Sequence, residues 1–330
     1  MSYSLANAPP NDRPIAVVSD HNAAPRKGVM SEVAYTLVDV FTTHRFGGNP
    51  LAVFPDARRI PDGDLQRIAR ELNLSETAFA YCLAPGEWRL RIFTPTMEHR
   101  FAGHPTIGAA LVLAEQDKLR ELVLHEAVGP VAVTIDRPTG SPPVARLAVP
   151  TDPEERDVTI PLTDLASLLT LQPDDLRGGA RRARAMSCGV PFLFVRVRDA
   201  GTLARACLRR DVWSRLLADT WAPHVYVYAV VCDDGTPQVR SRMFAPLMGI
   251  EEDPATGGAA AALAGVFAAD DPQTQGVACW TILQGVEMGR PSLLELSAHL
   301  EGGKARQISV GGSAVRMGRG ALLLAASGEE

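Results

Sequence analysis

Residues 91–97 read RIFTPTM and residues 242–248 read RMFAPLM, with Arg, Phe, Pro and Met at identical places in two stretches far apart in the chain. The segments around them recur in the same order. GNPLAVF (48–54) is answered by GVPFLFVRV (189–197), the helical period of PDGDLQRIARELN (61–73) by DVWSRLLADT (211–220), and TAFAYCL (77–83) by VYVYAVVC (225–232). Downstream, HPTIGAA (104–110) matches DPATGGA (253–259) through the shared Pro and the Gly three residues on. A repeat of about 150 residues is too long for a solenoid unit and predicts two copies of one domain. Apolar alternation predicts a hairpin of YTLVDVFT (35–42) and NPLAVF (49–54) around THRFGG, then strands at ETAFAYCL (76–83) and WRLRIFTP (88–95).

Each half therefore carries a Gly-rich turn opening into a small-residue helix. A helix start presents unpaired N–H groups and the positive end of its dipole, which suits an anion. Two such starts facing each other across a cleft would grip a small carboxylate between them. On this alignment His104 and Asp253 fall at equivalent positions beside it.

The chain has 330 residues, 46 % of them hydrophobic, enough for two domains with ordinary cores. A net charge of −5 argues against a nucleic-acid or anionic-membrane partner, which needs a basic face. The one basic cluster, RGGARRAR (177–184), reads as a solvated loop, since no aromatic residues interleave it. Cys82, Cys188, Cys207, Cys232 and Cys279 are odd in number and scattered, and read as reduced, mostly buried thiols of a cytoplasmic protein with no metal site. The longest apolar runs, HVYVYAVVC and AAAALAGVFAA, fall short of the roughly twenty residues that span a bilayer. Residues 1–31 are rich in Pro, Asn, Asp and Ala without an apolar core or cleavage signature, and read as a disordered tail.

DVFTTHRFGGNPLAVF, LNLSETAFA, IFTPTMEHRFAGHPTIGAA, EEDPATGGAA and QGVEMGRPS resemble, in order, the motifs of the phenazine-biosynthesis PhzF-like proteins. The resemblance runs from about Tyr35 to Leu324. It implies an α+β fold of diaminopimelate-epimerase type: two similar α/β domains (32–152 and 153–330), each a mixed sheet curled around a central helix, related by a pseudo-two-fold axis. It also implies an isomerase that relocates a proton on a small carboxylate substrate in the cleft, without metal or cofactor. The SET glutamate, here Glu76, is the implied shuttle, supported by His104 and Asp253. An amino-acid racemase, epimerase or dehydratase, or a silent binding protein, are the alternatives on the same fold. Relatives of that fold that use two cysteines carry one at each Gly-rich head, where this chain has Ala102 and Asp253. Gly258 stands where many PhzF-like members have serine.

Spacing alone favours a capping role for Glu76, between Ser75 and Thr77; the motif match favours the shuttle. Partial burial there would raise its pKa and fit it to both take and return a proton near neutral pH. The helix dipole should keep His104 neutral, although a cap of its own helix is an equal reading. Asp253 is expected to cap the amides of Thr256 or Gly257 while orienting His104 or the substrate. Gly103, Gly108, Thr256, Gly257 and Gly258 are expected to bind the substrate, the glycines by close backbone approach and amides to the carboxylate, or else to serve helix packing. Asn49 can reach the cleft from its turn. Arg91 and Arg242 suit structural roles better than paired clamps. Glu251 and Glu252 are expected to be solvated. A symmetric homodimer is the default assembly.

Overall fold

The computed structural model describes residues 31–179, 183–233 and 236–324. The expected tail therefore lies outside the described residues, except for Ser31, which begins a strand.

The hairpin forms as the alternation predicts. Strand Ser31–Val40 pairs antiparallel with Asn49–Phe54, which runs parallel to Glu76–Ala84; the helix Asp62–Leu72 makes the crossover. Glu76–Ala84 pairs antiparallel with Glu87–Phe93, which is parallel to Glu121–Glu126 and antiparallel to the short strand Glu98–His99. The second half copies this pattern. Pro191–Arg196 is parallel to His224–Asp233, which is antiparallel to Thr236–Ala245; that strand is parallel to Gly276–Gln284 and antiparallel to Ile250–Asp253. The parallel pairs Asn49–Phe54 with Glu76–Ala84 and Pro191–Arg196 with His224–Asp233 carry near-continuous apolar runs because both faces are covered.

The strands form one continuous sheet that wraps two helices, Gly103–Leu113 in the first half and Gly257–Asp270 in the second. Both are buried nearly all round, which is why their sequences are Ala- and Gly-rich without an amphipathic stripe. Their N-termini abut. A Cβ on Gly103 would stand 3.0 Å from the Gly257 Cα, and one on Gly257 would stand 3.1 Å from the Gly103 Cα, so only glycine allows this approach. Two further joins link the halves: Val144–Ala148 pairs with Lys304–Gly312, and the last strand, Ala314–Leu324, pairs along Ser31–Val40.

The strand registers correct the sequence alignment at one point. Arg91 and Arg242 are equivalent, as expected, each forming a two-pronged ion pair with the neighbouring strand, Arg91 to Glu98 and Arg242 to Glu252. The helix starts, however, align Gly103 with Gly257, so the counterpart of His104 is Gly258. The register Ile92–His99 corresponds to Met243–Asp253, so the counterpart of Asp253 is His99. Pro and Gly identities misled the alignment because Pro105 lies inside its helix whereas Pro254 precedes the other.

Several smaller expectations are also corrected. Glu252 is held by Arg242 and mostly buried, while Glu251 is exposed and pairs with Arg210. Arg184 is buried on strand Ala183–Ser187 between Glu155 and Asp270 and is not part of a solvated loop; Ala180, Arg181 and Arg182 lie outside the described residues. Cys82, Cys207 and Cys279 are exposed and only Cys188 is buried; the Cys232 side chain is not described.

Candidate active site

Where the two helix starts meet, a narrow cleft opens between the halves. Glu76, His104, Asp253 and Thr256 line it with the backbone of Gly103, Gly257 and Gly258, against an apolar wall that includes Phe101, Phe192, Met243 and Ile250. Glu76 is the first residue of its strand, and its Oε2 lies 3.4 Å from His104 Nδ1. Asn49, fully buried at the start of its strand, ties the halves together. Its Nδ2 donates to Asp253 Oδ1 (2.9 Å) and to the Ala255 carbonyl (3.0 Å), and its Oδ1 accepts from the Ser75 hydroxyl (2.8 Å).

Asp253 is not the amide cap expected of it. Its Oδ2 accepts from the Thr256 hydroxyl at 2.6 Å, and the Thr256 amide bonds instead to Gln284 Oε1 at 3.3 Å. Gln284 Nε2 donates to the Asp253 carbonyl (2.8 Å) and to Thr256 Oγ1 (2.9 Å), fixing the loop before the helix. Gly108 does not reach the cleft: a Cβ there would stand 2.5 Å from Leu51 Cδ2, so its lack of a side chain serves helix–sheet packing. The other predicted site residues converge. The residues heading the abutting glycines are Ala102 and Thr256, so neither head carries a thiol.

Burial sets the electrostatics. It raises the Glu76 pKa far above the usual carboxylate range, and the nearby Asp253 charge raises it further. Asp253 is also raised by burial, but the bonds from Thr256 and Asn49 oppose this and favour its ionised form. One proton between the pair therefore resides on Glu76. His104 is depressed to about 3 by burial, while a bond to the Pro50 backbone opposes the fall. Its contact with Glu76 at neutral pH is thus between uncharged groups.

Sequence reasoning missed Glu126, the counterpart of Gln284 in the first half. Thr106 Oγ1 lies 2.7 Å from the Ala102 carbonyl and 2.6 Å from Glu126 Oε1. The Thr106 hydroxyl donates to both acceptors, and burial favours the neutral form of the Glu126 carboxyl. Burial pushes its pKa to about 8, against bonds from Thr106 and the Ala102 backbone. Its folded pKa exceeds its unfolded one, so its contribution to stability is full below pH 4.5 and is lost as pH rises through about 8. Glu126→Gln is expected to match the wild type below about pH 4.5 and to become the more stable protein progressively as pH rises from there to about 8, as read by denaturant melts across pH.

A Cβ on Gly258 would meet only Phe192, at 3.9 Å. Gly258→Ser is therefore expected to fold with stability unchanged within about 0.5 kcal/mol. Its added hydroxyl is expected to lower KM for a carboxylate substrate about 2- to 10-fold, the range of one hydrogen bond. Among the described residues, no group of three or more His, Cys, Asp or Glu is gathered as a metal ion requires.

Comparison with known proteins agrees with this architecture. The chain is 38 % identical to an uncharacterized isomerase of Mesorhizobium japonicum, over 88 % of this chain and 98 % of that one. It is 34 % identical to the trans-2,3-dihydro-3-hydroxyanthranilate isomerase of Pseudomonas fluorescens, over 88 % and 99 %. The crystal structure of a PhzF-family phenazine biosynthesis protein from Bacillus anthracis superposes with a TM-score of 0.80 at 23 % identity, covering 89 % of this chain and all of the other. A protein from Agrobacterium radiobacter named as a probable proline racemase shares the fold at a TM-score of 0.56 and 13 % identity, covering 87 % of this chain and 92 % of that one. Residues 38–320 match the PhzC-PhzF family of phenazine biosynthesis-like proteins, and the chain belongs to that family as an isomerase of the PhzF type.

Proposed function

We propose that the chain moves a proton between two carbons of a small carboxylate-bearing substrate, with Glu76 as the sole shuttle and no cofactor. One observation carries this reading: a buried carboxyl with a raised pKa stands in a cleft beside two glycine-rich helix starts. The ionised Glu76 takes the proton from a carbon conjugated with the substrate carboxylate. The C–H bond breaks, the Glu76 O–H bond forms, and the electron pair enters the conjugated system. Return of that proton to a second carbon breaks the O–H bond and relocates the double bond, so atoms and electrons balance. Charge building on the substrate carboxylate meets the N–H groups of the helix starts at Gly103, Gly257 and Gly258, which need no reorganisation to receive it. Asp253, kept ionised by the bond from Asn49, favours the proton on Glu76 between its removal from the first carbon and its return to the second.

The relatives named as trans-2,3-dihydro-3-hydroxyanthranilate isomerases make that compound the first substrate to test. The proposal includes a reducing, cytoplasmic setting, supported by free cysteines at Cys82, Cys188, Cys207 and Cys279, and a symmetric homodimer. Turnover of that compound in D2O should require Glu76 and place at the receiving carbon the substrate's own hydrogen, or one deuterium where the Glu76 proton exchanges with solvent before its return. Deuterium at the carbon that lost the proton would instead indicate an epimerase. Turnover that survives Glu76→Gln would remove the shuttle.

A further inference from the structure

The pseudo-two-fold axis that relates the halves also relates the polar groups of the cleft, and it gives the site a second pole. Leu51 pairs with Glu76 as Phe192 pairs with His224, and Ile92 pairs with His99 as Met243 pairs with Asp253. The axis therefore carries the dyad of Glu76 and Asp253 onto His224 and His99, each dyad taking one member from either half. His99 lines the same cleft as Glu76, and His224 packs at 5.9 Å on Phe192, which lines it too. His99 Nε2 and His224 Nδ1 are both buried without a hydrogen-bond partner. Two orphaned ring nitrogens, one on a residue that lines the cleft and one on a ring packed behind its wall, are costly unless they find a hydrogen-bonding partner.

We infer that His99 and His224 form a hydrogen-bonding station for a neutral hydroxyl group of the substrate, at the end of the cleft related by the pseudo-two-fold axis to the proton shuttle. A hydroxyl fits because it both donates and accepts. One imidazole can give it an N–H while the other takes its proton, and either tautomer assignment satisfies both rings. Burial lowers the pKa of each ring, and His99 lowers that of His224 further, so the station is uncharged at neutral pH. A carboxylate is better served by the helix starts, and two neutral rings give it no charge to meet. The inference deepens the proton-shuttle reading and rests on it: the substrate carries a carboxylate at one pole and a hydroxyl at the other.

The test uses 3-hydroxyanthranilate and anthranilate, unreactive aromatic acids that differ only by the hydroxyl, titrated calorimetrically into the full chain. The wild type should bind the hydroxylated acid about tenfold more tightly, since a site built to pair a hydroxyl penalises its absence. His99→Phe and His224→Phe should each bring the two affinities together. Histidine ring nitrogen resonances of the wild type should move with 3-hydroxyanthranilate and stay with anthranilate, a readout that needs no variant to fold. Equal affinities in the wild type, a preference that survives both variants, or binding of neither acid would each overturn the station. Glu76-dependent deuterium uptake is scored separately, so the shuttle can stand when the station falls.

Discussion

Glu76→Gln is expected to keep the fold and lower kcat/KM about 10³-fold, within the span that general acid–base groups contribute. The amide has the shape of the protonated carboxyl and can keep the 3.4 Å contact with His104, but it carries no proton to a carbon. Glu76→Asp keeps the chemistry and draws the carboxyl back by one methylene, for an expected loss of about 10²-fold. The pH dependence has a fixed sign. The base is the ionised form, and burial lifts its pKa to about 8, so wild-type kcat/KM should climb with pH through that region. The same raised pKa gives stability that is full below pH 4.5 and is lost as pH rises through about 8. Glu76→Gln lacks that titration. Alkaline melts should therefore show the inactive variant to be the more stable protein.

Asn49→Ala is expected to cost about 2–3 kcal/mol of stability, measured by denaturant unfolding, because it strips a donor from a buried carboxylate. The Ala255 carbonyl and the Ser75 hydroxyl lose their partner in the same step. A merely structural loss would leave the pH profile alone. Here the profile should move: with the Asn49 bond gone Asp253 takes up a proton more readily, its charge no longer raises Glu76, and the climb of kcat/KM shifts to lower pH.

Much of the fold was legible because the chain states it twice. The strand pairs around RIFTPTM and RMFAPLM follow from apolar alternation, and two central helices follow from Ala- and Gly-rich segments after glycine turns. Within the site, Glu76, His104, Asp253, Gly103, Thr256, Gly257 and Gly258 converge on one cleft, with Asn49 bridging the two halves behind it. Gly108 does not, because a glycine that lets a helix settle on a sheet and one that bares an amide look alike in a sequence. Glu126 and Gln284 were missed because each ends a strand about 20 to 30 residues from the turn it secures, and no spacing rule spans that distance. His224 was within reach: aligning TAFAYCL with VYVYAVVC already sets it opposite Glu76. His99 was hidden because Pro and Gly identities, not strand register, were used to align the Gly-rich turns.

The pairing of Ala314–Leu324 along Ser31–Val40 joins almost the two extremes of the described chain. During synthesis the first half emerges without the outer neighbours of its first strand and of Val144–Ala148. The first strand then waits with one edge unpaired until residue 324 has left the ribosome, and an unpaired edge is open to any other extended chain nearby. Closure brings together segments of very large sequence separation, a slow step for folding. A nascent chain stalled before residue 314 should therefore hold a formed second half and an unsealed first one, and the last strand made is the one that completes the oldest part of the molecule.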